Sequence, residues 1–207
     1  MLFKKIAAVS AVSLAAFGVT STHAEMRTGL PIAVVDVKIE KGPPRKAIPI
    51  EVVEKSWKLT SGTPAEKYVL EQLQKKTNIS DRNALATIMG NIKSESNFTA
   101  NICEGGARVP YNKCYRGGYG LIQWTSTGRY NGLGKFAKRY GCDPSTLVCQ
   151  TRYMINEPIF QKYLPEFEGG GQPVHQYMVG AYYWLGWGIK GAREQYAYKY
   201  TKKLVWS

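Results

Sequence analysis

The sequence predicts a mainly α domain with glycine-rich loops, preceded by a signal segment and an extended or partly β lead. Three observations carry this. After residue 62, apolar residues recur three and four apart over several stretches, as one face of a helix requires. Residues 63–207 hold no long alternating run of the kind that marks strands. Prolines gather ahead of that region, with Pro31, Pro43, Pro44 and Pro49 all inside residues 25–61.

Taken in order, residues 1–24 read as a cleaved secretory signal. Lys4 and Lys5 form its basic start, Ile6 to Val19 its apolar stretch, and Thr22-His23-Ala24 its small-residue cleavage site ahead of Glu25. The apolar run is short for a membrane span. Residues 25–61 form a linker or small extended segment, in which 33–39 reads as a strand and 48–53 as its partner. The globular domain spans 62–207. Thr63-Pro64-Ala65-Glu66 is a capping box with proline at the first helical position, followed by Val69, Leu70 and Leu73. A second helix starts at Ser80 and Asp81 and carries Leu85, Ile88, Met89 and Ile92. Residues 99–128 are loop-like. Residues 129–141, 144–157 and 173–186 are predicted helices, and 192–206 is a last one whose Tyr196, Tyr200 and Leu204 fall on one face.

The chain has 28 basic and 15 acidic residues, a formal charge of +13. Cleavage of the signal with its two lysines leaves +11. Such a surface suits an anionic partner, and export favours anionic cell wall over nucleic acid. No stable membrane insertion is expected after cleavage. Four cysteines fit an oxidising compartment, and local pairing is expected, Cys103 with Cys114 and Cys142 with Cys149, each bracketing a short loop. Zinc is disfavoured because His175 is the single histidine beyond the signal. No metal and no cofactor are implied.

Glu95 lies three residues beyond Ile92 and so continues the buried stripe of its helix near the C-terminal end. Burial and the negative end of the helix dipole both favour a protonated carboxyl, the form a general acid needs. About twenty-five residues later comes Gly118-Tyr119-Gly120-Leu121-Ile122-Gln123-Trp124. Its glycines permit close backbone approach to a ligand, Tyr119 and Trp124 offer flat faces for sugar rings, and Gln123 has a donor and an acceptor. Read singly, the first segment is also an ordinary frayed helix end and the second a glycine turn with core aromatics.

Glu95-Ser96-x-Phe98 followed by Gly-x-Gly-Leu-Ile-Gln-Trp resembles the lysozyme superfamily, most closely the phage tail lysozyme type, with goose-type lysozymes and soluble lytic transglycosylases as relatives. Thr87-Ile88-Met89-Gly90-Asn91, Trp124-Thr125 and Arg129 favour the phage tail type. Gly180-Ala181-Tyr182-Tyr183-Trp184-Leu185-Gly186 is similar to the segment that closes the transglycosylase groove, with Tyr183 in place of asparagine and the glycine one residue late. The resemblance implies a lysozyme-like domain in which Glu95 is the general acid on the β-1,4 bond between N-acetylmuramic acid and N-acetylglucosamine. Tyr119, Gln123, Trp124 and Tyr182 would line the groove, and peptidoglycan strands would be the substrate.

A two-carboxylate hydrolase also needs a base or nucleophile across the bond. Glu104, inside the Cys103–Cys114 loop, is the best placed in sequence, ahead of Asp143 and Glu157. The alternative without a second carboxylate is a lytic transglycosylase, whose products carry 1,6-anhydro ends. A further alternative is a non-catalytic wall-binding or virion-structural protein. An exported protein of the periplasm or cell wall, or a virion-associated one, is the expected location.

Overall fold

The computed structural model describes residues 55–207. The expected signal at 1–24 and the expected strands at 33–39 and 48–53 lie outside the described residues. Seven α-helices dominate what is described: α1 (Pro64–Lys76), α2 (Arg82–Ser96), α3 (Thr127–Tyr140), α4 (Leu147–Asn156), α5 (Pro158–Glu168), α6 (Val174–Leu185) and α7 (Arg193–Lys203). Two short strands, β1 (Trp57–Leu59) and β2 (Leu204–Trp206), pair antiparallel. The fold is mainly α, as the sequence predicts.

Local signals explain most of the helix starts. The Thr63 hydroxyl accepts from the Glu66 backbone N–H while the Glu66 carboxylate accepts from the Thr63 N–H at 2.6 Å, closing the capping box. Asp81 caps α2 by accepting from the N–H groups of Asn83 and Ala84. Ser126 and Thr146 cap α3 and α4.

α2 is the central helix. Every residue from Ala84 to Ile92 is buried, because α1, α5, α6 and α7 all pack on it. Its contact with α7 is the most extensive between any two of the helices. Gly90 makes that contact possible. A Cβ there would stand 2.4 Å from the Ala197 nitrogen, 2.8 Å from its Cα and 2.9 Å from the Arg193 carbonyl oxygen. All three are backbone atoms, which cannot rotate aside.

A second tie joins three helices. The buried Glu66 carboxylate accepts from the Tyr200 hydroxyl of α7 and lies 3.6 Å from the Lys93 ammonium of α2. Burial pushes this carboxyl up, but Tyr200, Thr63 and Lys93 outweigh it and hold the group below the usual carboxylate range.

Three expectations need correction. Residues 158–172 carried no expected helix, yet α5 occupies Pro158–Glu168, with Pro158 in its first turn and Pro165 inside it. The last predicted helix, 192–206, stops at Lys203, and Leu204–Trp206 turns into β2. The domain start at 62 separates Trp57–Leu59 from its own partner. Trp57 stands opposite Trp206, Lys58 opposite Val205 and Leu59 opposite Leu204, so this stretch of the lead belongs to the folded unit.

Gly90→Ala is expected to gain about 1 kcal/mol of helix propensity and to lose about 3 kcal/mol to overpacking against immovable backbone. The net loss of about 2 kcal/mol would lower the melting temperature by roughly 5 °C in thermal denaturation; a stabilised variant would contradict the packing described. Burial pushes the Tyr111 and Tyr153 phenols from 10.0 to about 12, with Tyr130 adding to the first and Glu157 to the second. The unfolded chain therefore releases these protons before the folded one does. Stability from them is intact below pH 10 and is expected to fall as pH rises toward 12, which urea titrations at a series of alkaline pH values would reveal.

Candidate active site

Glu95 occupies the last turn of α2, which ends in two consecutive left-handed residues, Asn97 (φ 50°) and Phe98 (φ 60°). Neither is glycine, so this reversal stores strain of the kind found at functional sites. It is held because Phe98 is buried, 6.3 Å and edge-on from the Tyr200 ring. Ser96, the neighbour of Glu95, donates its hydroxyl to the Leu121 carbonyl at 2.7 Å. One buried bond thus joins the two segments singled out in the sequence.

The loop that follows is a small irregular ribbon fastened by bridges between Ile102 and Arg108, Cys103 and Tyr119, and Tyr119 and Trp124. Both expected disulfides are present, Cys103–Cys114 and Cys142–Cys149. Gln150 of α4, fully buried, accepts from the Leu121 N–H at 2.7 Å and donates to the carbonyls of Ala100 and Pro144. It pins the loop from beneath. Gly120 (φ 74°) is required there, since a Cβ would meet the Gln150 amide at 2.4 Å.

The Glu95 carboxylate is 12% exposed and pairs through Oε1 with the Arg193 guanidinium at 2.6 Å. Arg193 begins α7 and was not singled out in the sequence. No local signal links it to a residue 98 positions away. Its Nη1 donates to the carbonyls of Ile189 and Lys190, and its guanidinium lies 5.3 Å from the Trp187 ring centroid. Trp187 in turn meets Tyr182 edge-on at 4.9 Å. Tyr182, 44% exposed on α6, is therefore connected to Glu95 through Trp187 and Arg193.

Other expected site residues are placed differently. Tyr119 and Trp124 are both 0% exposed, so their faces cannot stack on a sugar. Tyr119 packs against Tyr111 and Tyr130, and Trp124 against Tyr153. Gln123 is half-buried at φ 50° and spends its amide donor on the Gly120 and Ile102 carbonyls. Glu104 is exposed, and its carboxylate accepts from the Gly118 N–H at 2.9 Å while its own N–H donates to the Gly118 carbonyl. It fastens the glycine turn, and among the described residues nothing joins it to Glu95. Glu157 is buried in a two-bond pair with Arg129 at 2.6 and 2.7 Å, which locks the α4–α5 junction to the start of α3.

The sequence matches Phage tail lysozyme over residues 64–204, about two thirds of its length. The chain belongs to this family. No curated protein and no solved structure matches it. Membership in the phage tail lysozyme family gives the chain a lysozyme-like role toward peptidoglycan. Among the described residues no helix is long and apolar enough to cross a membrane. A cavity of about 800 Å³ lies away from Glu95, between β1, β2 and α1, with Trp57, Leu70, Ile79 and Trp206 in its lining.

Tyr119→Ala and Trp124→Ala are expected to cost about 3–5 kcal/mol each and to show as early melting or failure to fold. Tyr182→Ala should leave stability within about 0.5 kcal/mol while raising KM. Thermal denaturation beside steady-state kinetics on solubilised peptidoglycan separates these. Normal stability with a raised KM in Trp124→Ala would restore its role as a sugar platform.

Proposed function

We propose that this protein cleaves the β-1,4 bond between N-acetylmuramic acid and N-acetylglucosamine, with Glu95 delivering the proton to the leaving oxygen. The single observation that carries this reading is the placement of Glu95. A mostly buried carboxyl lies in the last turn of the central helix beside a strained reversal, and Arg193 and Trp187 link it to the exposed Tyr182. Glycosidic cleavage needs such an acid in a largely dry setting. Tyr182 offers the ring face on which a sugar can stack. The excess of basic residues draws the protein to anionic cell wall, on export or as part of a virion.

Lytic transglycosylation is the second reading, and Glu104 favours it. Its carboxylate is already engaged by Gly118, so the residue best placed in sequence to be a second carboxylate is committed to holding a turn. In that reaction the 6-hydroxyl of the muramic acid attacks its own anomeric carbon, and Glu95 serves first as acid and then as base.

Glu95→Gln is expected to lower turnover of purified peptidoglycan by about 10²–10⁴-fold, with the melting transition retained. Mass spectrometry of the products distinguishes ordinary reducing ends, expected for hydrolysis, from 1,6-anhydro ends. Undiminished turnover in Glu95→Gln would remove Glu95 from the reaction, and no products from the unsubstituted protein would leave a wall-binding or structural role.

A further inference from the structure

The acid in this site is held by a group remote in sequence. Arg193 is itself only 10% exposed and touches Glu95 through one nitrogen, Nη2, at 2.6 Å. The other partners of its guanidinium come from the segment just before it: the Ile189 carbonyl at 2.8 Å, the Lys190 carbonyl at 3.0 Å and the face of Trp187. That segment, 186–192, contains Gly186, Gly188 and Gly191 and carries Ile189 at 82% exposure. Among the described residues the Glu95 Oε2 has no polar partner, whereas Oε1 has Arg193.

We infer that Arg193 is the positioning residue of the site: it fixes Oε1 of Glu95 so that Oε2 is the oxygen presented to the glycosidic bond. This rests on the reading of Glu95 as the acid. A flexible carboxyl at a helix end would otherwise sample several rotamers, and small misplacements of an acid are costly to rate. A planar guanidinium suits the task because its fork can grip two backbone carbonyls with one nitrogen and the carboxylate with another. The grip on Ile189 and Lys190 also makes the setting of Glu95 depend on segment 186–192, whose Trp187 stands beside Tyr182.

The test compares Arg193→Ala, Arg193→Lys and Glu95→Gln on soluble peptidoglycan fragments, with melting curves for each. Arg193→Ala is expected to lower kcat by about a hundredfold with KM within about twofold. Millimolar guanidinium, which refills the space left by the side chain, should restore part of that loss in Arg193→Ala and none in Glu95→Gln. Arg193→Lys keeps a cation but loses the fork, and should fall between wild type and Arg193→Ala. It also serves should the alanine variant not fold. Full kcat in both Arg193 variants beside an inactive Glu95→Gln would overturn the positioning role alone. A loss that tracks the melting temperature and resists guanidinium would overturn it equally. An active Glu95→Gln would instead overturn the reading of Glu95 on which it stands.

Discussion

The close approach of α2 and α7 at Gly90 is the constraint on which the rest of the molecule depends. Where a side chain would stand, the structure has the backbone of Ala197 and the Arg193 carbonyl. The missing Cβ lets two helices far apart in sequence lie almost backbone to backbone, and interiors packed this tightly transmit position faithfully. Five residues further along α2 comes Glu95, and the first residue of α7 is its partner. The same contact that seats the central helix therefore sets the distance between acid and guanidinium.

The second half of the site is held to this helix pair by polar groups that the interior cannot leave unmatched. Ser96 reaches Leu121, Gln150 grips the other side of Leu121, and Glu104 fastens Gly118. The Cys103–Cys114 disulfide closes the ribbon between them. An irregular loop of glycines has little intrinsic stability. Here it is fastened by the buried Gln150 amide, the exposed Glu104 carboxylate and a disulfide. Tyr119 and Trp124 add apolar mass beneath it, which is why aromatic residues occur in a segment otherwise made for tight turns.

Features decided by local chemistry were legible in the sequence. The capping box at Thr63, the Asp81 cap, the apolar stripe of α2 and the two short-range disulfides all depend on residues within a turn or a short loop of each other. What escaped depends on distant partners. β2 exists because Trp57–Leu59 lies across from it, nearly the whole domain away in sequence. α5 was hidden by Pro158 and Pro165, although proline in the first turn is itself a helix-start signal. The aromatic faces of Tyr119 and Trp124 looked available because exposure is a property of the assembled fold. Arg193 looked like one more basic residue of a tyrosine- and lysine-rich helix, and only the packing at Gly90 brings it to Glu95.

Among the described residues, the exposed Tyr182, linked to Glu95 through Trp187 and Arg193, and the cavity between Trp57 and Trp206 are both candidate places for a ligand. Volume favours the second, and chemistry favours the first, since the acid among the described residues lining that cavity, Glu71, is half exposed. The five tryptophans, Trp57, Trp124, Trp184, Trp187 and Trp206, supply a direct reporter. The decisive measurement is an NMR titration of ¹⁵N-labelled Glu95→Gln protein with soluble peptidoglycan oligosaccharides, following the indole N–H resonances. A shift of Trp187 with Trp57 and Trp206 unmoved is the result predicted for a substrate bound against Tyr182 and Glu95. Movement of Trp57 and Trp206 with Trp187 unmoved would contradict it and place binding at the strand pair.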